Sequence, residues 1–167
     1  AVGKMSIVTD NVIELNQCSG YILPGVGTAG AIMNVLNSKT ELKQFIIDKF
    51  RDDRKPLLAI CLGMQILFDR SDEGNVECLG LIPGRVKRLN GNLCHIGWQN
   101  LKMENLNFTQ SGSFYFNHSY YVEAENINEN AVRLDINQTR ACVAIKVGSN
   151  LGVQFHPEKS QRAGMQL

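Results

Sequence analysis

The first 70 residues alternate short apolar runs with segments of helical periodicity. An apolar run at 20–23 closes on a Pro-Gly pair, and a second run at 56–60 ends in a cysteine. Between them, apolar residues recur at helical spacing from 29 to about 50, with a predicted interruption near Ser38. Another helix is predicted over 63–68. This β-α-β-α order is typical of a parallel sheet covered by helices.

The second half of the chain contains mostly predicted strands. Turn residues such as Asn90-Gly91 separate six segments of strand-like composition. These segments are 80–89, 95–101, 114–122, 131–134, 141–147 and 151–155. We therefore predict an α/β fold with a mixed, mostly parallel sheet flanked by helices and antiparallel additions from the second half. No repeat or linker divides the 167 residues, so we expect one domain spanning 1–167.

Composition and charge exclude several classes of function. The net charge of +1 favours neither a nucleic-acid partner nor an anionic membrane surface. No apolar run approaches the roughly 18 residues that a membrane-spanning helix needs. The five cysteines are odd in number and lack C-x-x-C spacing, which favours free thiols over disulfides or a zinc site. We expect a cytoplasmic protein that binds neither membrane nor nucleic acid and uses no metal or cofactor.

A glycine-rich loop follows the first predicted strand. Residues 25–30 match G-x-G-x-x-G, the pattern of dinucleotide-binding turns. Such a site needs an acidic residue at the end of the next strand, and that strand ends in Cys61 instead. Two other interpretations stay open, namely a plain strand-to-helix turn and a loop whose backbone N–H groups face an oxyanion.

Cys61 lies between an apolar strand and a predicted helix, with the small residues Ala59 and Gly63 two positions away on either side. This is the arrangement of a nucleophile elbow, with cysteine in place of serine. The positive end of the following helix would favour the thiolate, and the N–H of Leu62 is a natural oxyanion donor. The pattern alone also fits a structural cysteine at a strand end.

A candidate base follows the last predicted strand. His156 ends an apolar run, Pro157 stops regular strand pairing, and Glu158 lies two residues beyond the histidine. A carboxylate at this spacing can orient the imidazole and stabilise its charged form. Because active sites form where parallel strands end, Cys61 and His156 are expected to lie close together. The three residues predict thiol acyl transfer, although His156 alone also fits a core or capping role.

Two segments resemble known motifs. Residues 61–65 (CLGMQ) and 152–158 (GVQFHPE) are similar to the two motifs of class I (triad) glutamine amidotransferases, which have a flavodoxin-like fold. The resemblance implies that Cys61 attacks the side-chain amide of glutamine, releases ammonia and leaves a glutamyl thioester that water hydrolyses. It implies that His156 is the general base and acid and that Glu158 orients it.

Further segments resemble the glutaminase subunits of imidazole glycerol phosphate synthases within that class, and the resemblance covers nearly the whole chain. These segments are 23–27 (LPGVG), 80–86 (GLIPGRV), 95–98 (HIGW) and 115–121 (YFNHSYY). The resemblance implies that the N–H of Val26 rotates to complete an oxyanion hole with that of Leu62. It implies partner-facing roles for Trp98 and Lys159. The residues that it assigns to glutamine binding are Gly25, Gly27, Gln65, Ser119 and Tyr120.

The partner implied by the resemblance is a (β/α)8 cyclase subunit in a heterodimer with this chain. Ammonia would pass through the barrel to a phosphoribosyl formimino substrate, giving imidazole glycerol phosphate for histidine synthesis and an aminoimidazole carboxamide ribotide. The family begins with a further strand and continues a C-terminal helix, so both are expected to be absent here, with residues 1–4 in the first helix. Residues 136–140 lack the expected aromatic-glycine turn.

Other functions stay open at this point. Paralogues that supply ammonia for amidination of surface sugars have tails similar to 158–167, whereas 80–86 favours the histidine-pathway form. A cysteine hydrolase of the same fold, a non-catalytic scaffold and a nucleotide-binding module are the further alternatives. By pattern alone, Trp98 fits a core position as well as an interface, and Ser119 fits an ordinary strand residue.

Overall fold

The computed structural model describes residues 5–52, 54–106, 111–124 and 130–167. The helix predicted over 1–4 lies outside these ranges. The helices are α1 (Val12–Gln17), α2 (Ala29–Ser38), α3 (Thr40–Asp52), α4 (Leu62–Gln65) and α5 (Gln161–Met165). The strands are β1 (Tyr21–Leu23), β2 (Leu57–Ile60), β3 (Arg70–Ser71), β4 (Val76–Glu77), β5 (Arg85–Arg88), β6 (His95–Lys102), β7 (Ser111–His118), β8 (Tyr120–Glu123), β9 (Ala131–Ile136), β10 (Thr139–Val147) and β11 (Asn150–Val153). No helix in the described part of the chain is long and apolar enough to cross a membrane.

A mixed sheet forms the centre of the fold. Its strand order is β1-β2-β11-β10-β8-β5-β3-β4, and β9 pairs with β10 beside this path. The pairs β1–β2, β2–β11 and β3–β5 are parallel. The pairs β10–β11, β10–β8, β10–β9, β5–β8 and β3–β4 are antiparallel.

The predicted α/β class and the antiparallel additions in the second half are confirmed. The balance within the sheet differs from the expectation, because antiparallel pairs outnumber parallel ones among the described strands. The reason is the connections, since tight turns can join only antiparallel neighbours. Asn137 and Gln138, both with positive φ, form such a turn between β9 and β10. They stand where the aromatic-glycine turn was expected.

The run 114–122, predicted as one strand, is divided in the structure. β7 pairs with β6 in a separate two-stranded ribbon, whereas β8 pairs with β5 and β10 in the main sheet. Ser119 lies between the two strands, where the chain passes from the ribbon to the sheet. Residues on both sides of this junction contribute to the candidate site described below.

The helix boundaries can be compared with those predicted from the sequence. The interruption predicted near Ser38 is confirmed, with α2 and α3 meeting at Lys39. The helix predicted over 63–68 is shorter, because α4 ends at Gln65. Beyond it, backbone N–H groups from residues 79–82 donate to the carbonyl oxygens of residues 66–68. This use of the backbone explains why the strand predicted over 80–89 begins only at β5.

Two apolar cores cover the two faces of the sheet. One contains α2, α3 and α4 with buried side chains such as Met33, Met64 and Phe68. The other lies under the β6–β7 ribbon, where the rings of Phe114 and Phe155 stack with centroids 4.3 Å apart. Leu62 belongs to the first core and Phe155 to the second, so the residues beside them, Cys61 and His156, lie where the two cores meet.

Candidate active site

Cys61 has the strained backbone of a nucleophile elbow. Its φ of 53° and ψ of −111° place a non-glycine residue at positive φ, between the end of β2 and the start of α4. The backbone N–H of Cys61 donates to the carbonyl oxygen of Val153 at 2.7 Å, which fixes the turn against β11. The strand–cysteine–helix context predicted from the sequence is therefore present.

The glycine-rich loop packs backbone to backbone against this turn. A Cβ built on Gly25 would lie 2.0 Å from the backbone nitrogen of Gly63, and one built on Gly63 would lie 2.2 Å from the carbonyl oxygen of Leu23. Both distances are far shorter than any van der Waals contact. Glycine is therefore required at both positions for the loop and the elbow to meet.

The first turn of α2 is occupied by groups of this chain. The Glu73 carboxylate accepts from the backbone N–H of Ala29 at 2.7 Å, and the Thr28 hydroxyl accepts from that of Ala31 at 3.3 Å. A dinucleotide on the G-x-G-x-x-G loop would place its pyrophosphate on these N–H groups. The carboxylate uses one donor and repels a phosphate, which argues against the nucleotide-binding interpretation.

The surroundings of Cys61 favour the neutral thiol over the thiolate. The pKa of Cys61 is raised to about 11, chiefly by burial and to a smaller extent by the carboxylates of Glu158 and Glu73. Hydrogen bonds from the backbone of Leu62 and the side chain of Gln154 lower it. The expectation that the helix end would favour a thiolate is wrong here, because α4 is a single short turn and burial has the larger effect. The sulfur therefore needs a base.

His156 and Glu158 form a hydrogen-bonded pair beside the elbow. The Nδ1 atom of the His156 ring lies 2.7 Å from Oε1 of Glu158. The carboxylate accepts, so Nδ1 carries the hydrogen in the neutral ring and Nε2 is left as an acceptor. His156 is buried, whereas the side chain of Glu158 is 55% exposed. The orienting contact predicted from their spacing is present.

Ser160 holds the main chain around the histidine. Its hydroxyl donates to the carbonyl oxygen of His156 at 2.6 Å and accepts from the backbone N–H of Tyr115 at 3.0 Å. The N–H of His156 donates to the carbonyl oxygen of Tyr115 at 2.8 Å. Ser160 could not be identified from the sequence, because a serine beyond a strand end has no distinguishing pattern.

The sheet register brings Cys61 and His156 to neighbouring strand ends. Val153 is opposite Ile60 in the parallel β2–β11 pair, so Gln154 follows beside Cys61 and His156 lies two residues beyond. Among the hydrogen bonds of the described residues, none joins the sulfur to the His156 ring. Catalytic hydrogen bonds are often long before substrate binds.

Two buried amides link the elbow to the start of β8. Nε2 of Gln154 lies 3.6 Å from the Cys61 sulfur. Nε2 of Gln65 donates to Oε1 of Gln154 and to the carbonyl oxygen of Tyr120, both at 2.9 Å. Both hydrogens of the Gln65 amide are thus used, and its Oε1 is left to accept. Gln154 was not assigned a role from the sequence, although it is the one polar side chain in the run 151–155, which could have indicated a buried hydrogen-bonding role.

The predicted glutamine-binding residues Ser119 and Tyr120 lie at the junction between β7 and β8. The Ser119 hydroxyl donates to the sulfur of Cys94 at 3.3 Å. The carbonyl oxygen of Tyr120 also accepts from Nδ1 of His118 at 2.8 Å. The structure thus joins Tyr120 to Gln65, as a shared pocket requires. Within the described ranges no cluster of three or more His, Cys, Asp or Glu side chains is arranged to hold a metal.

The proposed oxyanion donors have different surroundings. The backbone of Leu62 interacts with the Cys61 sulfur. The Val26 side chain is 81% exposed, and the following Gly27 has a φ of 98°, which few other residues adopt. Rotation of the Val26 peptide therefore meets little side-chain obstruction, but its role as a donor stays a prediction.

Trp98 and Lys159 belong to one exposed aromatic and cationic patch. The Trp98 ring packs edge to face on Tyr115, with ring centroids 5.7 Å apart. Nζ of Lys159 lies 5.6 Å from the centroid of the same Tyr115 ring. Trp98 is 47% exposed, so the core position that its pattern also allowed is excluded. The patch leaves these predicted partner-facing side chains accessible.

Solved glutamine amidotransferases have the same fold. A crystal structure of a glutamine amidotransferase matches 92% of this chain and 78% of its own, with a TM-score of 0.66 at 19% identity. The glutaminase domain of Trypanosoma brucei CTPS, solved with bound acivicin, matches 93% of this chain and 70% of its own, with a TM-score of 0.59 at 17% identity.

Sequence comparison gives more detail. A relative from Legionella pneumophila, imidazole glycerol phosphate synthase subunit HisH 2, is 39% identical over 99% of this chain and 84% of its own. The HisH subunits of Gloeobacter violaceus and Bacillus cereus are 34% and 37% identical, over 100% and 99% of this chain and 77% and 81% of their own. The family model for class-I glutamine amidotransferases matches residues 6–166. The chain belongs to the class-I glutamine amidotransferase family.

Proposed function

We propose that this chain is the glutaminase subunit of an imidazole glycerol phosphate synthase, folded as a single domain. It hydrolyses glutamine to glutamate and ammonia. The observation that carries the proposal is the hydrogen-bonded His156–Glu158 pair at the end of the strand beside the Cys61 elbow. The pathway rests on the HisH relatives, which align over nearly the whole chain.

The first step forms a thioester. Nε2 of His156 takes the proton of the Cys61 thiol as the sulfur attacks the side-chain carbonyl carbon of glutamine. Negative charge develops on the amide oxygen, where the N–H groups of Leu62 and Val26 stabilise it. The imidazolium, stabilised by Glu158, then donates its proton to the leaving nitrogen. The C–N bond breaks, and ammonia and a glutamyl thioester result.

The second step frees the enzyme. Water attacks the thioester carbonyl while Nε2 of His156 accepts one of its protons. The same oxyanion donors stabilise the second tetrahedral intermediate. The C–S bond breaks, the sulfur recovers a proton from His156, and glutamate leaves. Nucleophile, base and donors all come from the protein, so the reaction requires no metal or cofactor.

Glutamine is bound beside the elbow by Gly25, Gly27, Gln65, Ser119 and Tyr120. The free Oε1 of Gln65 can accept from a substrate N–H, because both of its amide hydrogens are used within the protein. The Gly25 backbone lies against Gly63 and closes the pocket on the side of the loop.

The ammonia is used by a (β/α)8 cyclase subunit in a cytoplasmic heterodimer. Trp98 and Lys159 contact this subunit through the exposed patch around Tyr115. The cyclase makes imidazole glycerol phosphate and aminoimidazole carboxamide ribotide. The Val26 peptide rotates when the subunits assemble, so the isolated chain is expected to hydrolyse glutamine slowly.

A pair of cysteine variants tests the chemistry. Cys61→Ala should lower the rate of glutamate release by roughly a thousandfold or more, because no other group can form the thioester. Cys78→Ala, a matched change at a half-buried thiol of the first core, should stay within about twofold of wild type. Mass spectrometry should find a glutamine-like electrophile attached to Cys61. Wild-type hydrolysis by Cys61→Ala would exclude this mechanism.

A further inference from the structure

The β6–β7 ribbon has two faces with different contacts. On the outer face of β6, Ile96 and Trp98 are exposed. On its inner face, His95 and Gln99 point towards the body of the protein and are partly buried. A subunit that docks on the outer face would therefore press on a strand whose other side contacts the candidate site.

His95 and His118 form a cross-strand pair on the inner face. They are opposite each other in the β6–β7 register, and Nδ1 of His95 lies 3.0 Å from Nε2 of His118. On the far side, Nε2 of His95 lies 3.4 Å from the side-chain nitrogen of Gln99. On the near side, Nδ1 of His118 lies 2.8 Å from the carbonyl oxygen of Tyr120.

The directions of these hydrogen bonds are determined by the two groups at the ends of the series, the Tyr120 carbonyl oxygen and the Gln99 side-chain nitrogen. A carbonyl oxygen can only accept, so Nδ1 of His118 carries a hydrogen and its Nε2 accepts from His95. Nε2 of His95 then accepts from the Gln99 amide. Burial lowers the pKa of His118 to about 4 and also lowers the pKa of His95, which keeps both rings neutral at physiological pH. The assignment therefore holds under the conditions in which the enzyme works.

The series of hydrogen bonds continues from the Tyr120 carbonyl oxygen to the Cys61 sulfur. The carbonyl oxygen that accepts from His118 accepts also from Gln65, whose amide donates to Gln154, whose amide contacts the Cys61 sulfur. His118 is thus separated from Gln65 by one shared acceptor. Any displacement of the Tyr120 carbonyl changes both the position of Gln65 and the shape of the pocket.

A second contact connects the start of β6 with the same junction. Cys94 precedes His95, and its sulfur accepts from the Ser119 hydroxyl at 3.3 Å. The consecutive residues Cys94 and His95, at the start of β6, therefore contact Ser119 and His118, which are consecutive at the end of β7 and the β7–β8 junction. This junction carries Ser119 and Tyr120, which the proposed function places on glutamine.

We propose that His118, held by His95, is a positioning residue that fixes the Tyr120 carbonyl and the Gln65 amide for glutamine binding. Through this pair, strand β6 couples the partner-facing side of the ribbon to the glutamine pocket. The inference rests on the proposed function, and it adds residues that neither touch the reacting atoms nor belong to the triad. It assigns the coupling to the hydrogen bond between His95 and His118 and to the one from His118 to the Tyr120 carbonyl oxygen.

Two variants at His118 distinguish the loss of its hydrogen bond to the Tyr120 carbonyl oxygen from the loss of its ring. In His118→Asn the side-chain amide can replace the Nδ1–H donor to Tyr120, whereas in His118→Gln the amide extends to the Nε2 position and leaves that carbonyl without this donor. For His118→Gln we expect the KM for glutamine to rise roughly tenfold, with kcat within about threefold of wild type. For His118→Asn we expect KM within about threefold. Thermal melting of each variant controls for folding.

The coupling is measured with His95→Phe, which keeps a ring against Phe116 but removes the hydrogen bond to His118. We expect stimulation of glutamine hydrolysis by a histidine-pathway cyclase subunit to fall by roughly fivefold or more relative to wild type. Unchanged stimulation would overturn the coupling.

Equal KM values for His118→Asn, His118→Gln and wild type, with glutamine hydrolysis intact, would overturn the positioning role alone. A wild-type protein without glutaminase activity would overturn the proposed function and this inference with it.

Discussion

Cys61 combines a strained backbone with a buried, protonated sulfur. The positive φ places the Sγ atom at the turn between β2 and α4, and burial raises the pKa of the thiol to about 11. At neutral pH the thiolate is therefore scarce until a base takes the proton. In the proposed mechanism the hydrogen-bonded His156–Glu158 pair supplies that base, which makes the carboxylate important although it is itself half exposed.

The Glu158→Gln variant tests this dependence. The amide can still accept from Nδ1–H, but it no longer stabilises the imidazolium that forms when Cys61 loses its proton. Because the carboxylate is exposed to solvent, we expect a fall in kcat of roughly ten- to a hundredfold, smaller than for a buried carboxylate. Glutaminase kinetics measure it, with Glu77→Gln on the exposed strand β4 as the matched control. A kcat equal to wild type would remove Glu158 from the mechanism.

Buried thiols make the stability of the protein sensitive to alkaline pH. Burial raises the pKa of Cys61 to about 11 and that of Cys142 to about 12, above the ordinary value of 9.0. Above about pH 9 the unfolded chain loses these protons first, so stability is fully present below pH 9 and is lost as the pH rises towards these values.

Urea unfolding between pH 8 and pH 11 measures this effect. Each buried thiol should lower the free energy of unfolding by up to about 1.4 kcal/mol per pH unit above pH 9. Cys142→Ala should have a smaller slope than wild type, whatever its stability at pH 8. Val35→Ala, which shortens an exposed apolar side chain and removes no titrating group, is the control, and its slope should follow wild type. Equal slopes in all three proteins would contradict the argument.

The placement of Cys61, His156 and Glu158 at strand ends could be predicted from sequence, whereas the contacts of Gln154 and His118 could not. Cys61 and His156 follow the ends of strands, and Glu158 stands two residues after His156, a spacing that lets its carboxylate reach the imidazole. The importance of Gln154 and His118 depends on which groups their amide and imidazole nitrogens reach across the sheet. Those contacts come from strand register between residues far apart in sequence, which a single sequence does not determine.

At the scale of elements, the elbow and the glycine-rich loop form one unit. Gly25 and Gly63 allow their backbones to touch, and Glu73 fixes the start of α2 immediately after the loop. The Val26 peptide lies between these two anchored points. Its freedom to rotate is therefore confined to the few residues of the loop.

Alanine substitutions in the loop test this unit. Gly25→Ala should destabilise the protein by roughly 2 kcal/mol or more and lower glutaminase activity at least tenfold, because its Cβ meets backbone that cannot move aside. Gly30→Ala is the matched control. Gly30 lies in helix α2, and a Cβ at this position would lie 3.8 Å from the Val76 side chain, which is an ordinary van der Waals contact. This substitution should leave stability unchanged or raise it by up to about 1 kcal/mol. Chemical unfolding and initial rates measure both. A fully active, stable Gly25→Ala would contradict the packing argument.

Element types were easier to predict than element ends. The order β-α-β-α and the break between α2 and α3 follow from periodicity in the sequence. The segment 80–84 has the apolar character of a strand, yet residues 79–82 donate their N–H groups to the carbonyl oxygens of residues 66–68, beyond the end of α4. The run 114–122 is continuous in composition, and only the change of partner strand at Ser119 divides it. Both differences arise from tertiary hydrogen bonds.

At the scale of the whole molecule, the ribbon lies between the proposed docking face and the candidate active site. Its outer side carries Trp98 and Tyr115, and its inner side carries Phe116 and His118. The His156 backbone pairs with Tyr115 of the same ribbon. A partner on the outer side therefore contacts the element that supports both the base and the glutamine pocket.

Removal of the aromatic anchor should weaken assembly. Trp98→Ala deletes the largest exposed ring of the patch, and we expect the Kd for the cyclase subunit to rise roughly ten- to a hundredfold. Val35→Ala, which shortens an exposed apolar side chain on α2, should leave the Kd unchanged. Isothermal titration calorimetry measures both. A Kd for Trp98→Ala equal to wild type would place the interface elsewhere.

The most direct test of the account is the rate of glutamate release from glutamine by this protein, alone and with a histidine-pathway cyclase subunit carrying its ribotide ligand. We predict slow hydrolysis by the isolated protein and a large increase on assembly, because the partner completes the oxyanion hole. Basal hydrolysis without stimulation would contradict the assignment to imidazole glycerol phosphate synthase. No hydrolysis under either condition would contradict the glutaminase function itself.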